Sequence, residues 1–393
     1  MTRILPPVRL TGATILREQE MQDRSIVIED GRISKGPFPA VDLSGYYVLP
    51  GIIDLHGDAF ERHIAPRPLA QFPLVTGLQN TDREAAANGV TTAWLAQSWS
   101  WEGGIRSPDY AEKLLDAVAA YRPQSLTDLR VQLRYETHMV DTGERLLAAV
   151  RKHKLDYVVF NNHLDQAEEI TLARPAELTE WAHRAGKSPQ EYLQLVKDTL
   201  AQAPQVPRHL CRLAESFDAM GVQYGSHDDP DAETRESYAM IGARICEFPT
   251  ARGPAAAARA MSDPVLMGAP NVVRGGSQSG NVPATQLIRD RLVTALVSDY
   301  FYPSLARAAF ALVEEGVLTL PRAWALISAN PAQIMRLTDR GVIDYGKRAD
   351  LVVVNKATHA VEATIAGGRL SFLSGEAARR FIHAEQPLRM AAE

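Results

Sequence analysis

Several apolar segments of the sequence end in histidine, aspartate or glutamate, the side chains from which proteins most often build sites for divalent metal ions. These terminal residues are His56, Asp58, Glu136, His163, His227 and Asp299. Imidazole nitrogen together with carboxylate oxygen suits Zn, Mn and Fe, and two such ions ~3.5 to 4 Å apart can activate water for hydrolysis. We therefore expect a hydrolase that uses two divalent metal ions, with Zn expected ahead of Mn or Fe.

The spacing and type of these residues suggest a role for each. His56 and Asp58 are two positions apart on an extended segment, so both side chains point to the same side and can chelate one ion. Glu136 carries a carboxylate able to bridge two ions, and His163 and His227 can each supply a neutral imidazole. The alternative for each residue is structural: a cap, a buried histidine or a salt-bridged acid.

The remaining acidic residues are expected to act on protons and on ring orientation. Asp299 ends its run directly before Tyr300, and we assign it to metal binding and to the general-base role, in which it accepts a proton from water. Asp228 and Asp229 directly follow His227, where their carboxylates can orient imidazole rings.

Two further segments carry groups suited to anions. The first, Phe60–Pro68, lies directly after His56 and Asp58. The second, Gly268–Ser277, combines an arginine with glycines that leave backbone N–H groups free to bind an anion. The residues predicted to bind substrate are Arg62, His63, Arg67, Arg274 and Ser277. Guanidinium groups match phosphoryl oxygens well, so the segments favour a phosphorylated substrate. A flexible surface loop is the alternative interpretation of Gly268–Ser277.

Eight short apolar runs alternate with helical stretches, which predicts parallel strands joined by helices. The runs are Tyr47–Leu55, Val90–Gln97, Arg130–Glu136, Asp156–Asn161, Val222–Ser226, Ile245–Phe248, Val265–Gly268 and Leu296–Ser298. Eight such units predict an α/β fold with a (β/α)8 TIM-like barrel over residues 50–340, with an open doubly wound sheet as the alternative. The carboxyl ends of barrel strands meet at one mouth, where the predicted ligands would converge.

Apolar residues with a spacing near 3.6 predict helices between these runs. The predicted helices include Asp109–Tyr121, Glu144–Lys152, Pro189–Ala201, Arg208–Met220 and Pro303–Glu315. For the helical region Pro175–Met220 we leave open a lid, a dimer contact and a barrel wall.

The two ends of the chain have a different texture. The start contains short extended pieces at Val8–Leu16, Asp23–Ile28 and Gly31–Ser34, and strand-like segments return at Ala349–Val354 and Ala360–Ile365. We expect residues 1–49 and 341–393 to form one small β-sandwich domain beside the barrel.

Composition narrows the possible partners and location. The chain has 393 residues, 42 Lys and Arg against 47 Asp and Glu, and a formal charge of −5, which argues against a nucleic-acid partner. The sequence contains no apolar run approaching the roughly 20 residues of a membrane span and no export signal at its start. Two cysteines, Cys211 and Cys246, fit a reducing compartment. We expect a cytoplasmic enzyme for a small molecule; a homo-oligomer is compatible with the sequence.

Other catalytic motifs are missing or incomplete. Gly346-Lys347 is followed by Arg348 where a phosphate-binding loop needs Ser or Thr. The serines in Gly276–Gly280 are out of register for a nucleophile elbow, so a serine triad is a weak alternative.

Taken together, these segments identify a resemblance to the amidohydrolase superfamily. Its framing segments are Val48–His56, Asn330–Ala332 and Gly341–Val352, and segments similar to the phosphonate-pathway branch of ribose triphosphate diphosphatases are Ser226–Asp229, Gly268–Ser277 and Ser298–Tyr300. The likeness extends over nearly the whole chain. The first motif is His-x-Asp where the superfamily usually has His-x-His, and Glu136 stands where many members carry a carboxylated lysine; both features are consistent with this branch.

The resemblance implies a metal-centred barrel flanked by a small sheet, and a reaction. That reaction is hydrolysis of alpha-D-ribose 1-methylphosphonate 5-triphosphate to the 5-phosphate and pyrophosphate, with attack at the phosphorus nearest the sugar. By matching motif, the metal ligands would be His56, Asp58, Glu136, His163 and His227, with Asp299 as base. Segment Gly57–His63 differs from the form typical of the branch, so a paralogue with another substrate is an alternative.

Two rival functions follow from the same residues. One is hydrolysis of a C–N bond by a deacetylase, deaminase or cyclic amidase, which would not need Arg274. The other is a non-catalytic barrel that has lost its metals, which is at odds with the presence of every predicted ligand.

Overall fold

The computed structural model describes residues 4–67, 70–164 and 175–383, and its strands form three sheets. In chain order the strands are β1 Val8–Thr11, β2 Thr14–Arg17, β3 Glu20–Asp23, β4 Ile26–Glu29, β5 Arg32–Ser34, β6 Ala40–Asp42, β7 Tyr46–Pro50, β8 Ile52–Gly57, β9 Val90–Trp99, β10 Asp128–Glu136, β11 Tyr157–Asn161, β12 Gln223–His227, β13 Ile245–Glu247, β14 Val265–Gly268, β15 Ala295–Val297, β16 Leu351–Asn355, β17 Val361–Ala366 and β18 Arg369–Leu373.

Strands β8 to β15 form a parallel sheet whose spatial order follows the sequence. The sheet closes on itself beyond β15, where the Asp299 N–H donates to the His56 carbonyl and the Asp58 N–H donates to the Asp299 carbonyl, each at 2.9 Å. The predicted (β/α)8 barrel is confirmed, and the open doubly wound sheet is wrong. The closing bonds also bring the ends of the first and last barrel strands, with their acidic side chains, into contact.

The first predicted run is divided between two sheets, so its prediction as one strand is wrong. Tyr46–Pro50 pairs with β16, whereas Ile52–Gly57 begins the barrel. Gly51 separates them, and a Cβ at this position would lie 2.3 Å from the Thr91 Oγ1. The chain therefore changes sheets where only glycine allows such close packing.

Helices connect most of the barrel strands. In chain order they are α1 Phe60–Ile64, α2 Leu74–Ala87, α3 Pro108–Tyr121, α4 Gly143–His153, α5 Pro175–Arg184, α6 Pro189–Leu200, α7 Val206–Met220, α8 Ala232–Met240, α9 Arg252–Ala260, α10 Ala269–Arg274, α11 Ala284–Arg289, α12 Ser304–Glu314, α13 Leu320–Ala325, α14 Ala329–Ile334 and α15 Gly375–Ile382. The five predicted helices are α3, α4, α6, α7 and α12, each within two residues of its expected bounds. None of the helices in the described residues is long and apolar enough to cross a bilayer.

Helix α2 had no clear apolar stripe because polar and small residues occupy much of its buried face. Gly77, Thr81 and Asp82 are all buried there. The Asp82 carboxylate accepts hydrogen bonds from the backbone N–H groups of Leu126 and Thr127 at 2.6 and 2.9 Å. A buried carboxylate of this kind ties the helix to the loop before β10.

The helical region from residue 175 to 220 divides into two parts. Helix α7 packs on the barrel, with Leu213 and Phe217 in the main core. Helices α5 and α6 form a separate apolar cluster with Trp101, which follows β9 at the barrel mouth. Helices α5 and α6 therefore border the barrel mouth, whereas α7 is part of the barrel wall.

The chain ends build a small β-sandwich, as predicted. A four-stranded sheet in the order β5-β4-β1-β6 faces a six-stranded sheet in the order β18-β17-β16-β7-β2-β3, and both contribute to one core. The predicted strand Val8–Leu16 is wrong in detail. Gly12, with φ +72°, turns the chain between β1 and β2, which belong to different sheets.

Charged and polar side chains lock the sandwich to the barrel. Arg340 donates to the Asp128 carboxylate at 2.7 Å and to the Thr92 hydroxyl at 2.9 Å. The Trp324 indole N–H donates to the Pro50 carbonyl at 2.9 Å. These contacts fix the amino end of the barrel and leave the opposite end, where the predicted ligands lie, open to solvent.

Candidate metal centre

A cavity of about 740 Å³ opens at the carboxyl ends of the barrel strands. Most of the residues predicted to bind metal or substrate line it: His56, Asp58, His163, His227, Arg274, Ser277 and Asp299. Asp228, predicted to orient an imidazole ring, lines it as well. They come from several different strand ends and from the loop after β14. The structure thus brings together residues separated by more than two hundred positions.

The first ligand group lies where the barrel closes. His56, Asp58 and Asp299 each place one nitrogen or oxygen atom within 4.8 Å of the others. Asp299 has φ +55°, an uncommon backbone conformation that aspartate tolerates better than most residues. Burial, reinforced by the charge of Asp58, raises the pKa of Asp299 to about 6. Two carboxylates held close together beside an imidazole attract a cation strongly.

His56 is held from behind by Glu247, at the end of β13. The His56 Nδ1 and the Glu247 Oε2 are 2.9 Å apart, and both side chains are almost fully buried. The other carboxylate oxygen accepts hydrogen bonds from the Gln132 amide at 2.6 Å and the Tyr157 hydroxyl at 2.5 Å. With the Nδ1 proton directed at Glu247, the His56 Nε2 keeps its lone pair for a metal ion.

His227 contributes a second buried imidazole. Its ring centroid is 5.4 Å from that of His56, and the Phe248 ring packs against both at 5.0 and 5.1 Å. The His227 Nδ1 lies 2.9 Å from the Asp228 Oδ2, and no described residue forms a hydrogen bond with its Nε2. Burial lowers the pKa of His227, which keeps the ring neutral. A neutral, buried imidazole whose Nε2 has no hydrogen bond to the described residues is well suited to bind a metal ion.

The two acids after His227 have different surroundings. Asp228 contacts the His227 ring. Burial opposes ionisation of Asp228, but its hydrogen bond with His227 and the charge of Arg134 lower its pKa. Asp229 instead points away from the imidazoles. Its carboxylate accepts a hydrogen bond from the Ser226 hydroxyl at 2.6 Å and lies 3.5 Å from the buried Arg235. The expectation that Asp229 orients an imidazole is therefore wrong.

A second ligand group lies at the ends of β10 and β11. Glu102, Glu136 and His163 bring one atom each within 4.8 Å of the others. The Glu136 carboxylate lies 2.7 Å from the His163 Nδ1 and accepts a hydrogen bond from the Asn161 amide at 3.0 Å. Burial opposes ionisation of Glu136, but the charge of His163 prevails and lowers the pKa of Glu136. Glu136 is thus grouped with His163 and Glu102, not with His56.

The predicted substrate-binding residues divide into two sets. Arg274 and Ser277 line the cavity, and the Arg274 guanidinium lies 3.3 Å from the Tyr300 hydroxyl. Arg62, His63 and Arg67 do not line it. Arg62 and His63 both contact Glu84 of α2, and Arg67 is exposed beyond α1. Arg62 also donates to the Tyr300 carbonyl, which places it behind the cavity rim.

Sequence inspection missed Glu247, Glu102 and Arg134. Arg134 is one of four charged residues in β10, so its charge alone does not distinguish it. Glu247 is the single charged residue of β13, where a charge in an apolar strand needs a partner or a ligand. That signal was present in the sequence. Glu102 follows β9 and forms an ion pair with Arg106 at 2.9 Å, a loop position that carries no such signal.

The donor set fits a divalent metal ion. It consists of imidazole and carboxylate groups, the combination used for Zn, Mn and Fe. The His227 Nε2 is the clearest sign, because buried polar atoms are normally hydrogen-bonded and no described residue forms a hydrogen bond with this one. His56 belongs to two neighbouring ligand groups, one with Asp58 and Asp299 and the other with His227 and Glu247, and Glu102, Glu136 and His163 form a further group.

The chain matches no family model. It is 32% identical over 366 residues to the alpha-D-ribose 1-methylphosphonate 5-triphosphate diphosphatase of Escherichia coli strain K12, and the match covers 88% of this chain and 95% of that protein.

Solved structures with low sequence identity share the fold. A solved amidohydrolase has a TM-score of 0.64 at 15% identity and covers 94% of this chain and 100% of its own. N-acetylglucosamine-6-phosphate deacetylase from Pasteurella multocida has a TM-score of 0.62 at 12% identity, covering 93% and 99%. Beta-aspartyl dipeptidase from Fervidobacterium islandicum AW-1 has a TM-score of 0.64 at 12% identity, covering 94% and 98%.

Proposed function

Since the chain belongs to the family of alpha-D-ribose 1-methylphosphonate 5-triphosphate diphosphatases within the amidohydrolase superfamily, we propose that this hydrolase acts on that sugar triphosphate. The products are the 5-phosphate and pyrophosphate, formed by water attack at the phosphorus nearest the sugar. The free, unbridged cysteines Cys211 and Cys246 agree with a cytoplasmic location.

The observation that carries this proposal is the cavity composition. Within one cavity, ligand-type side chains such as His56 and Asp299 face guanidinium groups of Arg134 and Arg274. A cation site beside fixed positive charges suits a substrate with several negative charges, since its phosphoryl oxygens can bind either the cation or a guanidinium group. A neutral amide would supply no negative charge to either arginine.

Two divalent ions, with Zn expected ahead of Mn or Fe, would be held by these side chains. One would take its ligands from His56, Asp58 and Asp299, with His227 of the neighbouring group, and the other from Glu136 and His163, which are grouped with Glu102. When bound, such ions lower the pKa of water and polarise a phosphoryl oxygen.

The chain's own groups supply the remaining chemistry. The Asp299 carboxylate takes a proton from the attacking water, and its neighbour Asp58 keeps it basic enough to do so. Glu247 holds the His56 ring with its Nε2 free. Arg274, exposed at the cavity rim, binds the phosphates that leave, and Ser277, which lines the same cavity, adds a hydrogen bond from its hydroxyl.

The test is product analysis on a matched panel. Purified protein with measured metal content is given ribose and nucleoside 5-triphosphates, including the 1-methylphosphonate, beside N-acyl sugars and cyclic amides. Pyrophosphate release from the ribose triphosphate, lost in Asp299→Asn and kept in Asp116→Asn, is the expected result. Asp116 is an exposed aspartate paired with Lys152 on the barrel surface, so its variant controls for the substitution itself.

Hydrolysis of a C–N bond is the competing outcome of that panel. Turnover of amides alone by metal-loaded protein would keep the site and move the function to a deacetylase, deaminase or cyclic amidase. Turnover of neither class, with metals bound, would overturn both.

A further inference from the structure

Arg134 lies within the barrel, deep in the candidate site. It precedes Glu136 by two positions on β10, so the two side chains share the inward face of that strand. The residue is only 9% exposed, yet it lines the cavity. Its guanidinium therefore lies below the strand-end ligands, whereas Arg274 is exposed at the rim.

No described residue forms a hydrogen bond or ion pair with the Arg134 side chain, and its Nε is buried without a partner. Other buried arginines have partners for part of the guanidinium. Arg235, whose Nε is also without a partner, donates from another nitrogen to the Ser226 hydroxyl at 2.5 Å, and Arg340 donates to Asp128 at 2.7 Å. The carboxylates of Glu136, Asp228 and Asp299 lie near enough for the Arg134 charge to favour their ionised forms, but none of them forms a hydrogen bond with the guanidinium. Its N–H groups are therefore available to a partner that is not part of the chain.

That partner must be an anion. Arginine is permanently cationic and offers no lone pair, so Arg134 is not a metal ligand, and its charge opposes a cation nearby. A guanidinium presents parallel N–H groups that match two oxygens of a phosphoryl group. Its depth places it beside the metal-ligand side chains, at the level of the bond to be broken.

We propose that Arg134 binds the non-bridging oxygens of the phosphoryl group that water attacks, while Arg274 binds the departing pyrophosphate. This assignment rests on the proposed function and adds a division of labour to it. Arg134 then determines substrate class, since a neutral amide at the same position would leave the buried charge unpaired.

Binding of inorganic phosphate and pyrophosphate, measured by calorimetry on the full-length protein with its metal content determined, tests this directly. Arg134→Met removes the charge at similar volume, Arg134→Lys keeps the charge but loses the planar fork, and Arg130→Met is the control. Arg130 lies on the same strand at the closed end of the barrel, paired with Asp128 and Asp156.

We expect about 10- to 100-fold weaker binding of inorganic phosphate to Arg134→Met, the range for losing a hydrogen bond to a charged group, and pyrophosphate affinity close to that of the wild type, because Arg274 is retained. Arg134→Lys should fall between this variant and the wild type, and Arg130→Met should match the wild type. Metal content should be unchanged in all of them. In turnover assays, both Arg134 variants should lose more kcat than the Arg274→Met variant does.

Two results would overturn the proposal. Unchanged phosphate affinity in Arg134→Met would show that no phosphoryl group binds there, and loss of metal from that variant would show that Arg134 only balances the nearby carboxylates. If Arg134→Met fails to fold, wild-type phosphate affinity in Arg134→Lys would overturn the proposal in its place. Failure of the proposed function is separate: wild-type protein would then bind phosphate through Arg134 yet release no pyrophosphate from any triphosphate.

Discussion

Replacing Glu247 by glutamine should weaken metal binding although Glu247 is not itself assigned as a ligand. Its carboxylate has one oxygen 2.9 Å from the His56 Nδ1 and another that accepts from Gln132 and Tyr157 at 2.6 and 2.5 Å. In each of these three contacts the Glu247 carboxylate accepts the hydrogen bond.

A glutamine side chain of the same shape cannot satisfy these partners. If its NH2 faces Gln132, two amide donors meet. If its NH2 faces His56, the ring must accept at Nδ1 and carry its proton on Nε2, the tautomer that cannot offer Nε2 to a metal. Losing one charge-assisted hydrogen bond costs about 1.5–3 kcal/mol, which corresponds to about 10- to 100-fold lower metal affinity.

The assay is a zinc titration against a competing chelator at neutral pH. The matched control is Glu362→Gln in the β-sandwich, where the carboxylate accepts from the Tyr46 hydroxyl at 2.8 Å and the Asn355 amide at 3.1 Å. We expect Glu247→Gln to lose affinity and Glu362→Gln to keep it. Wild-type zinc affinity in Glu247→Gln, with the variant folded, would refute the role given to Glu247.

Three further predictions concern contacts at the barrel's two ends. Gly57→Ala should lower the melting temperature in a calorimetric scan and reduce the free energy of unfolding by about 1–3 kcal/mol, since overpacking is destabilising. The new Cβ would lie 2.8 Å from the Asp54 Oδ2 and 2.9 Å from the Ser298 Oγ. An unchanged melting temperature would contradict this. Asp299→Asn should reduce kcat by about 10²- to 10⁴-fold, the range for removing a general base, with a smaller reduction counting against the assignment. Burial opposes ionisation of Asp128, but neighbouring arginines prevail and lower its pKa. The Asp128 carboxylate therefore contributes its full stabilisation above the pKa of an unfolded aspartate, and this contribution is lost as pH falls through the pKa of Asp128 in the folded protein. Urea midpoints of Asp128→Asn should therefore lie below wild type at neutral pH and converge with it below about pH 4; a constant difference would be the contrary result.

Much of the fold was predictable because the barrel strands are buried on both faces. Such strands appear as continuous apolar runs, of which Val90–Gln97 and Asp156–Asn161 are clear examples. The division of the first run was not predictable, since hydropathy is the same on both sides of Gly51. Helix α2 was missed for the opposite reason, because its buried face includes Thr81 and Asp82.

The candidate site was partly predictable from position alone. Residues that end a barrel strand must face the mouth, which located His56 and Asp299 without any structure. The contact between His56 and Glu247 spans 191 positions, so no local pattern points to it. Likewise, Arg62 looked like a mouth residue by its closeness to Asp58, but the α1 helix turns it towards Glu84.

The most direct test of the proposed reaction is turnover of the ribose 1-methylphosphonate 5-triphosphate in water enriched in ¹⁸O, followed by ³¹P NMR. We predict pyrophosphate without label and a 5-phosphate carrying one ¹⁸O, because water attacks the phosphorus nearest the sugar. Label in pyrophosphate, release of orthophosphate as the first product, or no turnover by metal-loaded protein would contradict it.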